Sequence, residues 1–213
     1  MDGMLEPNHF SLQSTNSPGK RDAIKRISTG IAQASSVLLL TQWVMSQQAL
    51  AQAPEAGISG QKAPEPVAEF WIDKNGAPTQ FSLAAQRGNW VHLKFWQSWC
   101  PGCHAHGFPA LQKMATAFAN EPRVVNIALQ TVFEGYWSNT ASKVRSTQQR
   151  YQLPIIFGHD ASNTKDGRGT MARFRSGGTP WHVVVDPQGR VIFNGFQINA
   201  DAAIAHIRQQ LKA

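Results

Sequence analysis

From about residue 64 onward, short apolar runs alternate with longer stretches of helical period. Val67 to Asp73 reads as a strand, Asn75-Gly76-Ala77-Pro78 turns the chain, and Thr79 to Leu83 pairs back as a hairpin. Trp90 to Trp96 is apolar on both faces for most of its length, as a central strand covered on both sides must be. Between residues 100 and 119, Leu111, Met114, Ala115 and Phe118 fall on one helical face. Val124 to Leu129 predicts a second buried strand, Ser138 to Tyr151 a helix polar on one side, Leu153 to Phe157 a short strand, and Met171 to Phe174 a short helical piece. Trp181 to Val185 and Val191 to Phe196 flank Asp186-Pro187-Gln188-Gly189, a strong hairpin turn. Ala202 to Leu211 closes the chain as an amphipathic helix with Ile204, Ile207 and Leu211 on one side. This order predicts an α/β domain with a central mixed sheet, helices flanking it and a β-hairpin added at its N-terminal end.

A different pattern occupies residues 1–51. Lys20, Arg21, Lys25 and Arg26 precede an apolar run from Ala34 to Met45, and small residues follow at Ala49-Leu50-Ala51. Basic flank, short apolar run and Ala-x-Ala make a secretory leader. The run of 12 residues falls short of the about 20 needed to span a bilayer. Cleavage after Ala51 leaves Gln52 at the new N-terminus, whereas cleavage after Ala53 would leave Pro54 there. A periplasmic or secreted protein is expected; the alternative is an uncleaved anchor, with membrane contact through the leader alone. No Arg-Arg pair precedes the run, so the twin-arginine route is not indicated. Residues 52–64, rich in Ala, Gly, Pro and Gln and without a period, read as a flexible linker, which leaves residues 65–213 for the folded domain.

Composition narrows the class. Of 213 residues 42% are hydrophobic and 15% charged, which excludes both a disordered chain and a charged coiled coil. The net charge of +7 suggests anionic partners until the charges are placed. Four basic residues lie in the leader; beyond it, sixteen Lys and Arg face ten Asp and Glu. The only local basic group is Arg168, Arg173 and Arg175, with Asp166 beside it. That is no basic stripe, and nucleic acid is not an expected partner.

The chemistry concentrates at Trp99-Cys100-Pro101-Gly102-Cys103, which holds both cysteines of the chain. Two cysteines are too few for a Cys-only zinc site or a multi-bridge framework. They fall where a buried strand hands over to a helix. Near a helix start, free backbone N–H groups and the helix dipole favour a thiolate at Cys100, the attacking species in disulfide exchange. Cys103, one turn on, is shielded by the helix and placed to resolve a mixed disulfide formed at Cys100.

Phe95-Trp96-Gln97-Ser98-Trp99-Cys100-Pro101-Gly102-Cys103 resembles the active-site strand and helix start of the thioredoxin superfamily. It is most similar to the secreted thiol–disulfide oxidoreductases of the TlpA/ResA type and to the redoxin domains named after alkyl hydroperoxide reductase and thiol-specific antioxidant (AhpC/TSA). The similarity continues through Gly178-Thr179-Pro180 and through the hairpin Val183 to Val191, about 75 residues after the cysteines. The resemblance implies a thioredoxin-like fold and a redox-active Cys100–Cys103 disulfide. It implies a substrate-docking surface from Trp99, Pro101, Gly102, Thr179 and Pro180, with Thr179-Pro180 as the cis-proline loop. An X-Pro bond reaches cis at a cost of about 0.5–1 kcal/mol, and the Thr179 backbone could then pair with an extended substrate strand. No cofactor is required, because the dithiol carries the electrons. The partners are protein thiols or disulfides and an electron donor or acceptor.

The sequence also departs from that pattern. His106 stands where the family helix carries a carboxylate three residues after the second Cys, and the helix proline is displaced by one residue, to Pro109. His106 and Glu134 are the candidates for proton transfer to Cys103. Three rival readings share the motif. Cys100-Pro101-Gly102-Cys103-His104 fits haem attachment, with Met114 or Met171 as axial ligand, although a small cytochrome needs neither the buried strand nor the proline loop. Cys100, Cys103, His104 and His106 offer a soft metal cluster for a metal-handling protein. A peroxiredoxin-like antioxidant would carry Thr three residues before its reactive Cys, where Gln97 stands. Elsewhere, Trp96 and Trp99 pack around the disulfide, Trp181 lines the groove or fills the core, His159-Asp160 ends a strand with Asp160 as a local cap, and His92 and His182 are strand residues. Pro101 and Gly102 bring no charged or imidazole group to the thiolate, so a reducing or intermediate role is favoured over a strongly oxidising one.

Overall fold

The computed structural model describes residues 56–161 and 169–212. The predicted leader lies outside them, as do Asp166 and Arg168. Seven strands form one sheet: β1 (Phe70–Ile72), β2 (Pro78–Thr79), β3 (Trp90–Trp96), β4 (Val124–Thr131), β5 (Ile156–Asp160), β6 (Trp181–Val185) and β7 (Val191–Gly195), in the order β2-β1-β5-β4-β3-β6-β7. The β3–β4 and β4–β5 pairs are parallel and the other four are antiparallel. The helices are α1 (Phe108–Ala117), α2 (Ala141–Tyr151), the short α3 (Thr170–Arg173) and α4 (Ala200–Gln210). This is the expected mixed sheet with flanking helices and an N-terminal hairpin. The hairpin turn is tied by Asp73, whose Oδ1 accepts from the N–H groups of Asn75 and Ala77, each at 2.8 Å.

The two faces of the sheet differ in chemistry. Val91, Leu93 and Phe95 of β3 join Ile127, Leu129, Val183, Met171 and Phe174 in an apolar core. The opposite face of β3 presents His92, Lys94 and Trp96, all fully buried. Here α1 and α2 contribute Phe108, Leu111 and Val144, and α4 contributes Ile204 and Ile207. Asn199 caps α4, its side-chain oxygen accepting from the Ala202 N–H at 3.1 Å.

Four boundaries differ from the sequence reading: β2 stops at Thr79 instead of running to Leu83, β5 is Ile156–Asp160 rather than Leu153 to Phe157, and two larger differences follow. Residues 56–64 are not a linker. Ile58 and Ala63 are buried, and backbone bonds join Gly60 N–H to Val191 O at 2.7 Å, Val191 N–H to Gln61 O at 2.9 Å and Ala63 N–H to Gly189 O at 2.9 Å. The segment is polar in composition, but an unpaired strand edge offers its backbone partners regardless of side chain. The folded unit therefore begins before residue 65. The expected single helix from 100 to 119 is also interrupted: Cys103–Gly107 forms a π-helical turn, and the Phe108 N–H reaches back to the Cys103 carbonyl. Such a turn absorbs one extra residue, and the proline displaced to Pro109 is the sequence trace of it.

Candidate active site

Strand β3 ends at Trp96, and the next seven residues carry the dithiol. Gln97 is fully buried. Its carbonyl accepts the Cys100 N–H at 3.3 Å, its side-chain amide donates to the Glu134 carbonyl at 3.2 Å, and its side-chain oxygen accepts from Thr179 Oγ1 at 3.3 Å. One residue thus ties the cysteine turn to two other loops. Asn139 does similar work: its Oδ1 accepts from the Ser98 N–H at 2.7 Å and Ser98 Oγ at 3.0 Å, and its Nδ2 donates to the carbonyls of Glu134 and Gly135. Gln130 extends this network to His159, whose Nδ1 lies 2.8 Å from Gln130 Oε1. None of Gln97, Ser98, Gln130 and Asn139 carries a chemical motif, and the sequence reading did not single them out as support for the site.

Cys100 and Cys103 are free thiols. The Cys100 Sγ donates to the Thr179 carbonyl at 3.4 Å and accepts the Cys103 N–H at 3.3 Å. Cys103 has no exposed surface, and burial pushes its thiol up to about 12, against the charge of Lys94, which favours the thiolate. The Thr179–Pro180 bond is cis, and a Cβ at Gly102 would stand 3.2 Å from Pro180 Cδ. The structure thus brings Cys100, Cys103, Gly102, Thr179 and Pro180 together. Trp99 is 44% exposed at the rim, and its indole fills the space that a side chain at Gly135 would take.

Other candidates fall elsewhere. His106 and Glu134 are exposed, and Glu134 contributes to the site its backbone carbonyl, which accepts from Gln97 and Asn139. His104 is spent on structure: Nε2 donates to the Ser98 carbonyl at 2.8 Å, Nδ1 lies 2.7 Å from the Tyr151 hydroxyl, and the ring stacks on Phe108 and Tyr151. With both ring nitrogens engaged, His104 does not join a metal cluster with the cysteines, and no cluster of three or more metal-binding side chains occurs among the described residues. Trp181 is a core residue, edge-on to Phe196. Asp160 caps α3 through the Thr170 N–H at 2.8 Å.

The group that sequence reading missed is Lys94. Its side chain is fully buried and its Nζ has no hydrogen-bond partner. Burial lowers its pKa to about 8, while the charges of Cys103 and Cys100 favour its protonated form. The signal was a lysine at the centre of Trp90–Trp96, two residues from His92 on the same face.

The AhpC/TSA family model matches residues 59–194. The chain belongs to the AhpC/TSA family. Solved structures agree. The thioredoxin-like superfamily protein SPOA0173 is 30% identical, with a TM-score of 0.60 over 71% of this chain and 96% of its own. A thiol-disulfide isomerase from Corynebacterium glutamicum is 25% identical, with a TM-score of 0.58 over 70% and 96%. A thiol:disulfide interchange protein from Bacteroides sp. shares the fold at 19% identity, with a TM-score of 0.52 over 75% and 93%. No curated protein matches the chain. Fold and family are those of the thiol–disulfide oxidoreductases of the thioredoxin superfamily.

Proposed function

We propose that this protein exchanges disulfides with protein thiols outside the cytoplasm, through Cys100 as nucleophile and Cys103 as resolving thiol. The observation that carries the reading is the asymmetry of the pair. Cys100, 5% exposed, reaches the Thr179 carbonyl of the cis-proline loop at 3.4 Å and carries the Cys103 N–H on its sulfur at 3.3 Å, a bond that strengthens when the sulfur is a thiolate. Cys103 has no exposed surface at all and offers no sulfur to an incoming substrate. The substrate is an extended polypeptide lying along Thr179–Pro180. Two exposed aromatic rings stand near that path: Phe196, 47% exposed, lies against Gly177 and Gly178 just before Thr179, and Trp99, 44% exposed, directly precedes Cys100. Rings of this kind favour a polypeptide over a small peroxide. Gln97, where a peroxidatic site would carry Thr, is locked between Thr179 and Glu134. The dithiol supplies the electrons and no cofactor enters. The basic–apolar–Ala-x-Ala leader supports export with a mature start at Gln52.

Mixed-disulfide trapping tests the roles. Cys103→Ser accumulates covalent complexes with thiol proteins that reductant releases, and Cys100→Ser accumulates none. Trapping by the Cys100 variant alone would reverse the assignment, and trapping by neither would remove it.

A further inference from the structure

We propose that Lys94 is the proton acceptor for Cys103 when Cys103 resolves a mixed disulfide. The inference rests on the dithiol reading above and adds to it the base that reading lacks. A thiol buried as deeply as Cys103 does not ionise into water, and neither exposed candidate, His106 or Glu134, is among the groups that act on it.

Lys94 is one of those groups. The Nζ lies behind the π-helical turn that begins at Cys103. A Cβ built on Gly107, the last residue of that turn, would come 2.2 Å from Lys94 Nζ and 3.0 Å from Pro180 Cβ. The Phe108 ring covers the Nζ at 4.8 Å. A buried ammonium without a partner is costly, and a core methionine would fill the same space without that cost. No described carboxylate pairs with Lys94; the groups whose negative charge, once ionised, would favour its protonated form are Cys103 and Cys100. The other titratable groups facing it are imidazoles. His182 stands opposite Lys94 in the β3–β6 register. His92 lies two residues along β3, its Nε2 3.0 Å from His182 Nδ1 and its Nδ1 3.1 Å from Asn126 Oδ1. Burial keeps both imidazoles neutral, so they do not compete as cations for the thiolate. Strand β4 and helix α1 bring Ala128, Phe108 and Leu111 to this face, without charge.

The Lys94 amine, which bonds neither sulfur in this structure, turns onto the Cys103 Sγ and, neutral, takes its proton. The Cys103 sulfur bonds to Cys100 Sγ, the bond from Cys100 Sγ to the substrate sulfur breaks, and the substrate leaves with the electron pair as a thiolate. The substrate is reduced and the Cys100–Cys103 pair oxidised. When a donor thiol later reopens that disulfide, the Cys103 thiolate recovers its proton from the Lys94 ammonium.

Ellman's reagent separates the stages in the full chain. Cys100 attack releases one thionitrobenzoate, and Cys103 resolution then releases a second. In Lys94→Met the first phase keeps its rate within about twofold, and the second slows about 100-fold at neutral pH. The parent's second phase follows a group titrating near the about 8 of Lys94, and the variant loses that inflection. Gly107→Ala keeps the lysine but crowds its Nζ. It shows the same selective slowing and covers the case in which Lys94→Met does not fold. A second phase with parental rate and parental pH profile in a folded variant overturns the proposal. If Cys103→Ser does not hold the first thionitrobenzoate adduct, the dithiol reading itself fails instead.

Discussion

At the scale of single residues, Lys94 is expensive for the fold. Its folded pKa, lowered from 10.5 to about 8 by burial, means that the unfolded chain binds more protons between those values. Stability therefore rises with pH across that window, and below pH 8 the full penalty is present. Lys94→Met is expected to be more stable than the parent at neutral pH, by up to about 3 kcal/mol. The gain should shrink between pH 8 and 10.5, as urea unfolding across pH will show. A variant less stable than its parent at neutral pH would mean that the lysine is held by favourable contacts. The cysteines were legible because a strand-to-helix junction and a two-residue spacing identify them without tertiary information. Lys94 was not: one lysine among Trp, Val, Leu and Phe left β3 reading as apolar on both faces, and only the helix turn laid across it explains its presence. Gln97 and Asn139 escaped for a related reason, because their partners lie in loops 37 to 82 residues away for Gln97 and 41 for the Asn139–Ser98 bonds.

Between elements, β3 and β6 are joined by more than their ladder. The His92–His182 pair is stacked, with centroids 5.3 Å apart, and bonded at 3.0 Å within the core. Burial lowers His92 from 6.5 to about 4, and burial also sets His182 well below its ordinary value. In both cases the unfolded chain binds more protons, so the pair's stabilisation is complete above about pH 6.5 and is lost as pH falls through about 4. Thermal unfolding should show Tm falling across that window, with a flatter slope in the His92→Gln, His182→Gln double variant. Equal slopes would show that other groups govern acid unfolding. Element order and type followed closely from the apolar periods, since β3, β6 and α4 are regular and strongly patterned. The π-helical turn did not, because one inserted residue barely disturbs the spacing of Leu111 and Met114 further along α1.

On the scale of the whole domain, composition misplaced the N-terminal boundary. Residues 56–64 read as a linker because their side chains are small and polar, yet their backbone bonds to β7 and the Ile58 side chain enters the core. A chain beginning at Glu65 should be less stable than one beginning at Ala56 by about 3 kcal/mol or more, from a few backbone bonds at about 1 kcal/mol each and one buried isoleucine. Denaturant unfolding of the two truncations measures this, and equal midpoints would return the segment to the status of a tether. Strand order was likewise beyond the sequence, since nothing local tells β1 to pair with β5 rather than with β3. The closeness of position 107 to the tip of residue 94 also has a historical consequence. Alanine at 107 would strike the Nζ and Cε of Lys94, at 2.2 and 2.9 Å, so beside the lysine it is accommodated only by displacing the ammonium end, and beside a shortened residue 94 that displacement is not needed. The cost of the change at 107 therefore depends on the residue already at 94, so the same two substitutions are easy in one order and costly in the other. A library randomised at both positions and selected for folding should return side chains at 107 more often beside a short residue at 94 than beside lysine.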